Sequence, residues 1–286
     1  MVTQTTLSFE FFPPRSDVQR RRFWRAFGAL EMYTPRFISM TWGALGSDSE
    51  ASFDVIEPLV ADTNVDVVAH LACAGLDKAG AHAALDRLSS LGVRQVLAIR
   101  GDAHAESVSS QSDQLGHATD LVELIAERGD FDVSVAAYPD VHPEARSAED
   151  DLHWLCRKAE LGASRAITQF FFDAEHFLRL RDALMQRGLE MDLVPGILPI
   201  HDIERICQFS ADCGAQIPHA LVERFRAIET GESRIELATE VAFNLCERLR
   251  AEGVRHFHLY TLNRSDLASS LAHALGVTPV HRYAAA

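Results

Sequence analysis

The chain has 286 residues, 47% of them hydrophobic, which is enough to build a full core in one or two domains. It carries 27 basic and 41 acidic residues, a formal charge of −14, and so lacks the basic surplus that a nucleic-acid binder needs to displace counterions. No run approaches the ~18 apolar residues of a membrane span, and the opening MVTQTTLSFEFF has no basic stretch followed by a long apolar one. Cys73, Cys156, Cys207, Cys213 and Cys246 form no CxxC pair. They read as free thiols of a cytoplasmic protein.

Short β-branched or aromatic runs alternate with longer amphipathic stretches. In chain order the strand-like runs are 7–12, 36–42, 66–73, 95–101, 132–139, 165–172, 192–199 and 256–263. Segments such as 147–161 and 174–187 between them carry apolar residues at helical spacing. Strand starts recur roughly every 30 residues, the size of a βα repeat. The gap after 192 is about twice that, and it predicts extra helices near 202–212, 218–226 and 234–251. Eight such units predict one α/β domain over residues 1–286, a (β/α)8 TIM-type barrel with extra helices before its last strand. Neither GxGxxG nor GxxxxGK[ST] occurs, so a dinucleotide would not bind through a Rossmann or P-loop turn. The Ser- and Gln-rich piece 103–116 reads as a loop on the catalytic face.

Strand side chains alternate between faces. In 7–12, Phe9 and Phe11 suit the layer between sheet and helices, which turns Glu10 into the barrel. An inward carboxyl beside apolar neighbours is costly unless paired or protonated. Flanking phenylalanines would raise its pKa, as a general acid requires. His70, Arg100 with Asp102, Tyr138, Gln169, and the group Tyr260, Asn263 and Arg264 all fall at predicted C-terminal strand ends. Barrel enzymes build their active sites there. Each residue alone reads equally well as a hydrogen-bonded structural group, and Arg100–Asp102 as a plain ion pair.

The segments SFEFFPPR (8–15), TWGA (41–44), RGD (100–102), AAYPDVHPEA (136–145), ITQFFFD (167–173), PGILP (195–199) and FHLYTLNR (257–264) stand in order along the chain. On these the sequence resembles the methylenetetrahydrofolate reductase family, in its bacterial form with the catalytic barrel alone. The resemblance implies reduction of 5,10-methylenetetrahydrofolate to 5-methyltetrahydrofolate in one-carbon and methionine metabolism. It implies FAD as cofactor, NADH or NADPH as hydride donor, a ping-pong cycle and a homodimer or homotetramer. It makes Glu10 the acid that assists ring opening and Asp102 the carboxylate facing positive charge on N5. It places FAD against Thr41, Trp42, Ala44, His70, Arg100, Gly101, Asp102, Ala118, Tyr138, His142, Ala145, Asp151, Arg157 and Lys158. Gln169 would meet folate and nicotinamide in turn, with Phe209, Tyr260 and Arg264 on the folate. Arg157 and Lys158 read otherwise as a solvated helix face, and Phe209 as core.

One rival reading is a folate-binding barrel with impaired NAD(P)H oxidation, or one running in the methyltetrahydrofolate-oxidising direction. Another is a metal-dependent hydrolase, which thirteen histidines permit. However, no HExxH occurs, and no metal is expected.

Overall fold

The computed structural model describes residues 4–41, 49–101, 114–228 and 231–280. Its parallel strands are β1 (Thr6–Phe11), β2 (Ile38–Met40), β3 (Val67–Ala72), β4 (Gln95–Ile99), β5 (Asp132–Ala137), β6 (Ala163–Thr168), β7 (Asp192–Val194), β8 (Gly196–Ile197) and β9 (His256–Tyr260). Helices alternate with them: α1 (Asp17–Glu31), α2 (Ser49–Asp62), α3 (Lys78–Ser90), α4 (Ala118–Arg128), α5 (Ala148–Glu160) and α6 (Ala174–Gln186). Before β9 come α7 (Ile203–Cys213), α8 (His219–Arg226) and α9 (Gly231–Ala251), and α10 (Asp266–Ala274) follows it. All eight predicted strands and the three extra helices are present. Among the described residues, no helix is long and apolar enough to cross a membrane.

The sheet runs β7-β6-β5-β4-β3-β2-β1-β9-β8. The single strand predicted at 192–199 is thus two short pieces. Pro195 has no N–H to give a ladder and divides them. β7 pairs with β6, β8 pairs with β9, and the Pro195 carbonyl accepts the His258 N–H at 3.0 Å. The ring is therefore nearly closed, interrupted at Pro195 within its seventh strand, which gives a (β/α)8-type barrel with nine strand pieces.

Alternation sorts the side chains as expected. Leu7, Phe9 and Phe11 face outward, and Phe11 meets Phe23 of α1 edge-on at 5.3 Å. Phe37, Val68, Leu97 and Ile167 form a small apolar layer of their own. Several helices begin at Ser or Asp caps directly after a strand, including Ser16, Asp77, Ser147, Asp173 and Asp202. Their first turns accordingly open on the face where the strands end.

The turn after β9 is held by two side chains, the Thr261 hydroxyl, which donates to the Glu10 carbonyl at 2.6 Å, and the Asn263 amide. Asn263 takes a left-handed φ of 54°, a conformation Asn tolerates. Its Oδ1 accepts the Phe12 N–H at 3.0 Å and its Nδ2 donates to the Phe12 carbonyl at 2.8 Å. Asn263→Ala strands both half-buried Phe12 groups and leaves a β-carbon with no compensation in a left-handed turn. The expected cost is about 2 kcal/mol of stability. Urea unfolding of the variant measures it, and an unchanged midpoint contradicts this account of the turn.

Candidate active site

Glu10 points into the barrel at its C-terminal mouth. Its Oε2 lies 3.5 Å from His70 Nε2 and 3.7 Å from His258 Nε2, and its side chain is 20% exposed. Register explains the grouping: Glu10 is paired with Ser39 on one side and Tyr260 on the other. The expected flanking by phenylalanines is wrong. Phe9 and Phe11 are on the opposite face of β1, because neighbours in a strand point opposite ways. The carboxyl sits among imidazoles and a phenol instead.

A hydrogen-bonded file runs up the barrel axis to this carboxyl. Arg36 Nη1 is 3.3 Å from His256 Nδ1, and a guanidinium can only donate, so that nitrogen accepts. His256 Nε2–H then donates to Ser8 Oγ at 3.0 Å, and the Ser8 hydroxyl donates to His258 Nδ1 at 2.8 Å. This assignment leaves His258 Nε2–H facing Ser39 Oγ at 3.3 Å and Glu10 beyond it. Burial lowers the His256 pKa to about 3, with the Arg36 charge adding to the effect. His70 falls to about 4, also by burial, against the raising influence of Glu10.

Both imidazoles are neutral in the fold at pH 7 and take up protons in the unfolded chain as pH drops below 6.5. The unfolded state binds more protons in that window, so their contribution is full above pH 6.5 and is lost toward pH 4 and below. The thermal midpoint is expected to fall steadily between pH 7 and pH 4. His256→Gln and His70→Gln should flatten the profile, and an equally steep profile in both variants contradicts the assignment.

A second group lies beyond the ends of β4 and β5. Arg100 is held by Glu144, with Nη2–Oε1 at 2.7 Å. Gly101 has φ +82°, and a β-carbon there would come within 2.8 Å of the Ala72 side chain, so glycine is required twice over. Tyr138 and His142 rings lie 4.5 Å apart, edge to face. Asp151 Oδ2 accepts the His142 N–H at 2.9 Å, and the Ala145 N–H donates to the His142 carbonyl. Tyr138, Asp151 and Lys158 line a cavity of about 310 Å³ with Leu155, His176 and Arg179. Lys158 Nζ approaches the Ala136 carbonyl at 3.4 Å. Burial lowers the Lys158 pKa and raises that of Asp151, and each charge opposes the other's shift. Arg157 pairs with Glu160 at 3.2 Å on the exposed side of α5 and does not line the cavity. Ala118 opens α4.

Tyr260 donates to the Thr168 carbonyl at 2.7 Å, and Gln169 follows that residue at the mouth, its Oε1 accepting the Phe170 N–H at 3.1 Å. Phe209 is half-buried on α7, and Arg264 pairs with Asp266 at 2.6 Å. The Thr41 hydroxyl and His70 Nε2 are buried and make no hydrogen bond. Trp42, Ala44, Asp102 and most of 103–116 lie outside the described residues. Gln114 at the end of that piece bridges to Asp77. Sequence reasoning missed Glu144 as the partner of Arg100, and missed the file Arg36–His256–Ser8–His258. The two histidines of HFH at 256–258, two apart on one strand and so on one face, are the signal in the sequence that points to the file. Among the described residues, no group of three or more His, Cys, Asp or Glu side chains is arranged to hold a metal ion.

A nearly closed parallel barrel with a carboxyl, imidazoles and a phenol converging where its strands end defines a (β/α)8-barrel enzyme. Comparison with known proteins narrows the class. A family model described as methylenetetrahydrofolate reductase matches residues 2–276. The 5,10-methylenetetrahydrofolate reductase of Pectobacterium carotovorum subsp. carotovorum is 37% identical over 274 residues, covering 96% of this chain and 91% of its own. That of Escherichia coli (strain K12) is 36% identical over 277 residues, with 96% and 92% covered. A solved structure of a Clostridium thermocellum protein that binds two copies of 5-methyl-5,6,7,8-tetrahydrofolic acid superposes with a TM-score of 0.69 over 96% of each chain. At 12% identity it supports the fold alone. The chain belongs to the methylenetetrahydrofolate reductase family.

Proposed function

We propose that this chain reduces 5,10-methylenetetrahydrofolate to 5-methyltetrahydrofolate with FAD as cofactor and NADH or NADPH as hydride donor, in a ping-pong cycle. The observation that carries the reading is Glu10, a carboxyl set at the barrel mouth against His70 and His258. A flavin suits the groups around it. Thr41 Oγ1 and His70 Nε2 are buried polar atoms with no hydrogen-bond partner, and both stand at positions that match the family's flavin contacts. Lys158 brings an enclosed cation to a 310 Å³ cavity, where a pyrophosphate would complement it. Arg100, Gly101, Ala118, Tyr138, His142, Ala145 and Asp151 complete the binding set. The flavin supplies a two-electron carrier between nicotinamide and folate.

The chain's own residues handle the folate. Glu10 is the proton donor to N10 as the bond from N10 to the methylene carbon breaks. The remaining C–N5 unit becomes an iminium, which accepts hydride at carbon to give the methyl group. His258 Nε2–H orients the carboxyl from within the barrel, and neutral His70 bounds it on the other side. Asp102 is assigned by its motif to face the positive charge on N5. Gln169 serves whichever ligand is present, and Phe209, Tyr260 and Arg264 frame the folate. Turnover of NADH with menadione, and separately with methylenetetrahydrofolate, tests the reading. Purified protein that stays colourless with added FAD and oxidises no NADH overturns it.

A further inference from the structure

We propose that Gly196 and Thr168 are positioning residues for the folate-facing side chains. The bare α-carbon of Gly196 lets the Tyr260 ring close the barrel seam, and Thr168 holds that ring and β8 at once. The proposal rests on the reading that Tyr260 and Gln169 contact folate.

The seam lies where Pro195 breaks the seventh strand. The pairing of Ile167 with Val194, continued by two residues, would bring the Gly196 N–H to the Thr168 carbonyl. The structure does otherwise. The Gly196 N–H donates to the Thr168 side-chain oxygen at 2.9 Å, which leaves the Thr168 carbonyl to accept the Tyr260 hydroxyl at 2.7 Å. A phenol thus stands in for a missing backbone donor, and one threonine satisfies both sides of the break. The arrangement needs glycine for space, since Gly196 does not have a positive φ. A β-carbon there would lie 2.6 Å from Tyr260 Cε2 and closer still to the Thr168 carbonyl oxygen. Neither can yield cheaply. The carbonyl is backbone, and the ring packs against His258 at 5.5 Å and Phe170 at 6.3 Å. The phenol remains a donor, because burial, with the Glu10 charge adding to it, raises its pKa well above the ordinary value. Gln169 is the next residue along from Thr168, so a shift in that carbonyl moves both proposed ligand contacts together.

The test uses the full chain with fluorotyrosine incorporated, and Gly196→Ala, Thr168→Val and Thr168→Ser variants. The Tyr260 fluorine resonance is assigned by its loss in Tyr260→Phe. It should move in Gly196→Ala and Thr168→Val and stay in place in Thr168→Ser, which keeps the hydroxyl. Equilibrium titration with 5-methyltetrahydrofolate should show about tenfold weaker binding in the first two and recovery in the serine variant. In turnover, KM for folate should rise more than kcat falls. An unmoved resonance overturns the seam, and a loss of thermal stability with folate binding unaltered overturns the positioning role. A wild-type chain that binds no folate while the resonance moves overturns the functional reading and leaves the seam geometry standing.

Discussion

Glu10→Gln is expected to lower folate reduction about a thousandfold while NADH still reduces the flavin. The magnitude is that of removing one general acid, ~10²–10⁴ in rate. The side chain keeps its size, and the amide fits the same place beside His258, whose Nε2 stands 3.7 Å from Glu10 Oε2. Packing is therefore preserved and only the transferable proton is lost. In the proposed cycle the first half-reaction would move hydride between nicotinamide and flavin and need no proton at N10, so it should survive. Stopped-flow measurement of each half-reaction separates the two. Equal loss in both would mean that Glu10 shapes the site and does not act as the acid.

Lys158→Met is expected to weaken FAD binding about a hundredfold and to cost about 3 kcal/mol of stability. The two effects have different origins. Flavin affinity falls because the cation in the cavity is gone. Stability falls because Asp151, itself desolvated, loses the opposing charge that Lys158 provides. Adding Asp151→Asn to Lys158→Met removes the uncompensated carboxylate, so the double variant should regain stability without regaining flavin affinity. Non-additive unfolding energies together with flavin titration check both halves. If the double variant recovers flavin binding, Lys158 acts through folding and not through the cofactor. Arg157→Met provides the contrast: its guanidinium pairs with Glu160 at the surface, and little change in either quantity is expected.

The period of the chain made the barrel readable. Short apolar runs such as 66–73 and 132–139 recur along the chain, and each is followed by a stretch of helical spacing. Side-chain alternation along a strand turned Glu10 inward without any knowledge of its neighbours. What it could not supply was the company Glu10 keeps, because that depends on the register between β1 and β9, strands about 250 residues apart. Ser8 meets His258, and Glu10 meets Tyr260, only once that register is set. The phenylalanines adjacent in sequence were therefore given a part that the imidazoles across the sheet perform. Pro195 was visible within PGILP, yet its consequence was not. A proline ends a ladder locally, but whether the ring still closes depends on Thr168 and Tyr260 filling the gap. Sequence adjacency sets Arg100 against Asp102, whereas the described structure pairs it with Glu144 from the next βα loop. Arg157 and Lys158 are adjacent on one helix, and a hundred-degree turn is enough to send one to solvent and the other into the cavity.

The proposed reaction sends hydride from nicotinamide through a protein-held flavin to folate, with Glu10 supplying the proton. The most direct measurement is the anaerobic absorption spectrum of the purified protein, followed through addition of NADH and then methylenetetrahydrofolate. An oxidised flavin band should appear that NADH bleaches and methylenetetrahydrofolate restores, with the second step lost in Glu10→Gln. A band that NADH bleaches but methylenetetrahydrofolate leaves bleached in the wild-type protein would contradict it.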